Sequence, residues 1–256
     1  MTTDPTAVRR RFCSAMVTAM GADPALIDAP GTTVVADDRR GAGSVACYQI
    51  GAHTFVPFGA GLGDEPERWS MFDGLHQGPP VVDAEFREMV ELLGGQVVGG
   101  GVMKTRTSVL PTPPSPGRLH VFDWQRSADL EIIETFVAQC EPDDLDEADL
   151  DLDRLDTLAV GLLDEGGRLM AYSSSQPYEE DDGFGDIAVI THADARRGGW
   201  GRAAVGALID TLLLPNGIEP LYRCDVENAG SDRLSTRLGF APALTLTAAQ
   251  FPVPEH

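Results

Sequence analysis

Arg196-Arg197-Gly198-Gly199-Trp200-Gly201-Arg202 lies between two apolar segments of different period. Before it runs Gly185–Thr191, an almost continuous apolar stretch of the kind expected for a strand covered on both faces. After it, Val205, Leu208, Ile209 and Leu212 recur at i, i+3, i+4 and i+7, the period of a helix, and Pro215 ends the run. The stretch is therefore a glycine loop joining a strand to a helix N-terminus. The first amides of a helix lack internal partners, and the helix dipole adds partial positive charge there. Glycines let an anion approach those amides, and Arg196, Arg197 and Arg202 add charge at the same end. The pattern is not Walker A, because no Gly-Lys-Ser/Thr follows, and its spacing is not Gly-x-Gly-x-x-Gly.

Working outward, Arg118–Trp124 reads as a strand, and Ser127 as the cap of a helix carrying Leu130, Ile133, Val137 and Cys140. Glu141 to Asp156 holds nine acids and one arginine, a short irregular helix or a solvated loop. Thr157–Leu163 and Arg168–Ser175 flank Asp164-Glu-Gly-Gly167, a hairpin with its turn glycines in place. Glu179-Glu-Asp-Asp182 is a charged connection. Beyond the glycine loop come a strand at Leu221–Val226, a short helix capped by Ser231 with Gly239 as its left-handed stop, and a last strand at Ala243–Ala248. The predicted order is β-α-β-β-β-α-β-α-β.

Arg196-x-x-Gly199-x-Gly201 fits the acyl-CoA pyrophosphate motif of the GCN5-related N-acetyltransferases (GNAT). Val226-Glu-Asn228-Ala-Gly-Ser231 and Leu238-Gly-Phe240 resemble that family's later motif, and the element order from Arg118 onward is similar to the family's. The resemblance covers 118–256. It implies an α/β (α+β) fold with a mixed, mostly antiparallel sheet flanked by helices, and direct acetyl transfer from acetyl-CoA to an amine. Acetyl-CoA would lie where the strand at 185–191 splays from the strand at 221–226. Main-chain groups of Val189, Ile190 and Thr191 would hold pantetheine; N–H groups of Arg197, Gly198, Gly199, Trp200, Gly201 and Arg202 would hold the pyrophosphate, and Arg196, Asn228 and Ser231 would also bind the cofactor. The family's usual tyrosine acid falls at Ser235, and its common proline at Ala193. Serine donates a proton poorly, so Tyr222 or a water takes that role, or the thiolate leaves unassisted. Asp186 stands near the family's frequent carboxylate base, with Glu179, Glu180 and Asp182 as alternatives. His192 is either a base or a loop flank. Loss of the tyrosine also admits a non-catalytic acyl-CoA sensor.

Leu110-Pro-Thr-Pro-Pro-Ser-Pro-Gly117 puts four prolines in six positions, which no helix or central strand tolerates. It marks a stiff linker at 111–117 between 1–110, a smaller N-terminal α+β domain, and 118–256. In the first part Asp4 and Pro5 open a helix whose apolar face is Phe12, Ala15, Met16 and Ala19. Strands follow within 32–58, then a helix at Ala84–Leu93 capped by Asp83, and a strand within Gln96–Val109. His53 and His76 read as satisfied or solvent-facing, and Gly59-Ala-Gly61-Leu-Gly63 lacks a following helix. Trp69 and Phe72 either cover the core or lie exposed. This domain is expected to shape the acceptor pocket or to mediate dimerisation.

The chain has 256 residues and a net charge of -21, with 10 basic and 27 acidic residues in 118–256. Such a field repels nucleic acid and anionic membranes, so neither is an expected partner, and the acidic segments favour a cationic acceptor. The four cysteines, Cys13, Cys47, Cys140 and Cys224, form no Cys-x-x-Cys pair. No metal site is expected, and free thiols fit a cytoplasmic protein.

Overall fold

The computed structural model describes residues 4–60, 62, 72, 81–108, 110, 115–148, 150, 152, 158–178 and 181–253. Trp69, His76, Glu179, Glu180, most of the proline linker and much of 149–157 lie outside these residues. In chain order the main elements are α1 (Pro5–Ala19), β1 (Gly31–Ala36), β2 (Ser44–Ile50), β3 (His53–Phe58), α2 (Val81–Leu92), β4 (Gln96–Arg106) and β5 (Arg118–Val121). Then come α3 (Ser127–Val137), α4 (Pro142–Glu147), β6 (Leu158–Leu163), β7 (Leu169–Tyr178), β8 (Asp181–Thr191), α5 (Trp200–Leu208), β9 (Glu219–Asp225), α6 (Ala229–Arg237) and β10 (Phe240–Gln250).

Two compact units result. One comprises the residues up to Lys104, Cys224–Ala229 and the chain from Pro242; the other comprises Thr105–Arg223 and Gly230–Ala241. The sequence division keeps all of 118–256 together, whereas here the chain end groups with the N-terminal residues. The reason is strand pairing: Leu244–Gln250 of β10 run antiparallel to β2 from Ile50 back to Ser44.

In the first unit the strand order is β1-β3-β2-β10-β4. β1 runs parallel to β3, and β2 pairs antiparallel with β3. Val45, Cys47, Val56, Phe72, Phe86, Val90, Ala249 and Phe251 form its core. Asp4 caps α1 as its sequence predicts, accepting from the Thr6 amide at 3.0 Å. The buried face of α1 is Val8, Phe12, Cys13, Met16 and Val17, so larger side chains displace Ala15 and Ala19 from the core. His53 is a satisfied histidine: Nδ1 donates to the Ala29 carbonyl at 2.8 Å and Nε2 lies 2.9 Å from Thr33 Oγ1. α2 begins at Val81, so Asp83 stands in its first turn rather than at its cap, and there it pairs with Arg87 at 2.9 Å.

The second unit carries the order β9-β8-β7-β6-β5. All of its neighbouring strands are antiparallel except β8 and β9, which run parallel. One face of this sheet is covered by Phe122, Ile133, Phe136, Tyr172 and Ile190; on alternate positions Leu162 and Ala171 pack with Ala203, Ala204 and Trp200 from α5. Ser127 is the first residue of α3, and the cap position belongs to Arg126, which makes no side-chain cap bond. Asp129, buried within the first turn, instead accepts from the Asp123 amide at 2.8 Å and faces His120 Nε2 at 3.1 Å. Ser231 likewise lies inside α6, not at its start. Among the described residues no helix is long and apolar enough to cross a membrane.

Asp37 gives the first unit a pH signature. Burial pushes its carboxyl pKa up, but hydrogen bonds and charge from Arg39, with charge from Arg40, prevail and hold it below the usual value. The unfolded chain therefore takes up this proton first. The stabilisation is complete above the unfolded carboxyl pKa of about 3.9 and is lost as pH falls through the lower folded value. Asp37→Asn is expected to be less stable than wild type near neutrality, and the gap should close on acidification below about pH 4, measured by urea unfolding at a series of pH values.

Candidate active site

The central feature of the second unit is a fork. The register of β8 with β9 runs from Phe184↔Glu219 to Ile187↔Tyr222 and stops. On its other edge β8 stays paired with β7 as far as Thr191↔Ala171. Val189, Ile190 and Thr191 thus belong to the arm of β8 that has left β9 while still held by β7. Ile190 is buried in the core, so its contribution to a ligand is main-chain only.

The glycine loop sits at the end of that arm, and its glycines do three different things. Gly199 occupies the cap position of α5 with φ +83°, and a Cβ there would meet nothing within 4 Å. Gly201 packs so closely that a Cβ would come 2.7 Å from Thr191 Oγ1. Gly198 is confined by Trp200 and the Ala195 carbonyl at 3.0 and 3.2 Å from its would-be Cβ. Of the three, Gly199 is the one whose missing side chain faces open space, while a side chain at Gly198 or Gly201 would meet protein atoms. The first intrahelical bond is from the Ala203 amide to the Gly199 carbonyl at 3.0 Å, so the amides of Trp200, Gly201 and Arg202 precede it. Arg197 has φ +65°, a left-handed conformation that costs a non-glycine residue about 1 kcal/mol or more.

Three side chains of the loop have distinct surroundings. Trp200 packs over Gly117 and the Leu162 cluster, leaving only its amide to face a ligand. Arg196 pairs with Asp144 of α4, and its Nε donates to the Thr191 carbonyl at 3.4 Å. Arg202 Nε is buried and has no hydrogen-bond partner among the described residues, an orphaned cationic donor at the helix start. Open space at Gly199, amides preceding the first helical bond and this donor together suit a phosphate group.

The candidate catalytic residues gather at the fork. Asp186 lies on β8 in register with Leu221, and its Oδ2 is 3.2 Å from Arg223 Nη2 on β9. Tyr222, the last β9 residue in register, is 1% exposed. Its hydroxyl is 2.9 Å from Ser231 Oγ, and its ring centroid lies 5.5 Å from that of Phe240. Ser235 is fully buried and donates to the Asp232 carbonyl at 2.9 Å. His192 Nδ1 accepts from the Asp194 amide at 3.2 Å, capping the short turn after β8, the loop-flank alternative. Asn228 falls among residues 224–229 of the first unit, where its amide donates to the Asp225 carbonyl at 3.2 Å and closes the turn after β9.

Residues 118–240 match the model of the Acetyltransferase (GNAT) family. This segment is a GNAT acetyltransferase domain. Solved structures with which the chain aligns include a GCN5-related N-acetyltransferase-like protein from Streptococcus suis (18% identity, 96% of this chain and 99% of that one, TM-score 0.49). They also include a GNAT-family acetyltransferase from Colwellia psychrerythraea (15%, 66% and 63%, 0.48) and a GCN5-related N-acetyltransferase from Kribbella flavida (20%, 68% and 64%, 0.46). The chain thus spans less than two thirds of the Colwellia and Kribbella proteins. No curated protein matches the chain in sequence.

Within the GNAT domain, sequence reasoning missed Arg223 as the partner of Asp186 and Asp144 as the partner of Arg196. A lone arginine inside the otherwise apolar Leu221–Cys224 was a usable signal for the first; nothing in the sequence ties Asp144 to a residue 52 positions away. Among the described residues no group of three or more metal-ligating side chains occurs.

Gly201→Ala is expected to cost about 1–3 kcal/mol, because the new Cβ must displace Thr191 Oγ1. Adding Thr191→Ala should recover most of that loss. Denaturant unfolding of the four members of this cycle measures both terms.

Proposed function

We propose that the chain is an acetyl-CoA-dependent N-acetyltransferase acting on the amine of a small molecule or protein by direct transfer. The observation that carries this is the parting of β8 from β9 at Ile187 and Tyr222, beside a loop with early helix amides and open space at Gly199. When bound, acetyl-CoA supplies an activated acyl group as a thioester. The amides of Trp200, Gly201 and Arg202, with the Arg202 guanidinium, hold the pyrophosphate. Main-chain groups of Val189 to Thr191 hold the pantetheine arm along the freed edge of β8.

Asp186 receives the acceptor amine and takes its proton, leaving the nitrogen lone pair to attack the thioester carbonyl. The new C–N bond forms as the C–S bond breaks, and the Tyr222 hydroxyl, held by Ser231, protonates the leaving thiolate. Tyr222 from β9 thereby does what Ser235 does not. Holding amine and thioester in line at the fork provides most of the rate gain.

A second reading, an acyl-CoA-binding sensor without turnover, draws on the buried Ser235 hydroxyl, committed to the Asp232 carbonyl. Release of free CoA thiol against an amine panel separates the two. Tight acetyl-CoA binding with no thiol release supports the sensor.

Gly199→Asp is expected to weaken CoA binding about a hundredfold by calorimetry, because its carboxylate enters the phosphate site. Gly199→Asn, which keeps the shape and tolerates the left-handed backbone, should lose far less. Equal affinity of Gly199→Asp and wild type would displace the phosphate from this loop. For the proton donor, Tyr222→Phe should lower kcat about a hundredfold at little cost in acetyl-CoA affinity, while Ser235→Ala changes kcat little. Stopped-assay thiol release with calorimetry on the same variants checks both.

A further inference from the structure

We infer that the acceptor is an amino acid, a small molecule bearing a carboxylate beside its amine, and that Arg223 is the residue that reads the carboxylate. This rests on the acetyl-transfer reading above and narrows its acceptor class.

The geometry at the fork motivates it. Asp186 registers with Leu221, so Arg223, two residues on, projects from the same face of the sheet as Asp186. Arg223 is also the first β9 residue past the last register pair, Ile187↔Tyr222. Thr191 and Gly201, which place the donor loop, belong to the opposite face, because Thr191 and Asp186 differ by an odd number of positions along β8. Donor loop and ion pair thus lie on opposite faces of the sheet and meet only where the strands part.

The charges at that point are matched. Asp186 and Arg223 form an ion pair of 3.2 Å, with side chains 20% and 50% exposed. An acceptor that is only a cation has to win Asp186 from Arg223 and then rest beside a guanidinium of its own sign. An amino acid has no such conflict, since its ammonium replaces Arg223 on Asp186 and its carboxylate replaces Asp186 on Arg223. The Arg223 end of the pair is half-exposed and screened by solvent, so it can be exchanged for a ligand carboxylate. Guanidinium also presents a planar pair of donors that fits a carboxylate two-pronged. The uncharged Ser174 and Gln176 stand opposite Ala188 and Asp186 on the same face, so β7 adds no competing charge there. Against the acidic excess of residues 118–256, a half-exposed arginine at the fork is a specific element, distinct from the general attraction for cations.

The test measures kcat/KM by CoA thiol release for a panel of α- and ω-amino acids, each beside its amide and its decarboxylated amine. Wild type is expected to favour each preferred amino acid over its amide by about tenfold or more. Arg223→Gln should collapse that ratio through KM, and Arg223→Lys should restore part of it. Titration with CoA verifies that each variant is folded. Equal or better use of the amides or decarboxylated amines by wild type overturns the inference, as does a ratio that Arg223→Gln leaves in place. Transfer to amines without any carboxylate preference overturns this inference alone. CoA binding without transfer to any member of the panel overturns this inference, and absence of transfer to peptide and polyamine acceptors as well overturns the acetyl-transfer reading with it.

Discussion

The contact between Gly201 and Thr191 sets the rest of the GNAT domain. With no Cβ at Gly201, the first turn of α5 rests directly on the end of β8, and any side chain there would drive into Thr191 Oγ1 at 2.7 Å. That contact places the early amides of α5 at the tip of the β8 arm. The arm itself is free because its register with β9 ends at Ile187 while β7 continues to hold it to Thr191. A helix start fixed at the end of a strand that has parted from its neighbour is a slot with polar main-chain groups along one side and at its end. Trp200 anchors the same turn from behind, filling the space over Gly117, so the loop is braced on both flanks.

Backbone strain is concentrated in this loop. Arg197 is the single described non-glycine residue with positive φ, two positions before Gly199, which also has positive φ. A left-handed residue next to a right-handed one can turn successive amides toward one side, the backbone pattern of an anion-binding nest. The strain persists because the ends of the loop are over-determined: the Gly198 amide is tied to the Ala195 carbonyl at 3.2 Å, and Gly201 is pinned on Thr191.

Much of this was legible in the residues alone. The glycine loop, the strand before it and the helix after it follow from period and from the missing side chains, and the hairpin at Asp164–Gly167 follows from its turn residues. The caps were harder. Ser127, Ser231 and Asp83 are all good capping residues by type, yet each lies inside its helix. A preceding residue begins the helix wherever tertiary packing supports it, and α3 starts without a side-chain cap, Asp129 instead holding the Asp123 amide of the segment before it. The separate duties of Gly198, Gly199 and Gly201 were not legible, because identical side chains carry no sign of what stands opposite them. The placement of the chain end was hidden for a related reason: an alternating strand such as β10 shows that it needs a partner but not which one, and β2 is nearly two hundred positions away.

The pairing of charges in the GNAT domain bears on how it can hold a phosphorylated donor. Three of its arginines are paired with acids: Arg196 with Asp144, Arg223 with Asp186, and Arg168 with Asp164 and Asp194. In a segment so rich in carboxylates, a loose arginine would be captured by the nearest acid before it met a ligand. Main-chain amides escape that competition, since a carboxylate side chain reaches them only through a route that the local backbone allows. Gly199 leaves open space beside the α5 amides, and Arg202 Nε is buried without a hydrogen-bond partner among the described residues. Arg223 stands in a comparable setting: it is paired with Asp186 across β9 and β8 while its own side chain stays half-exposed.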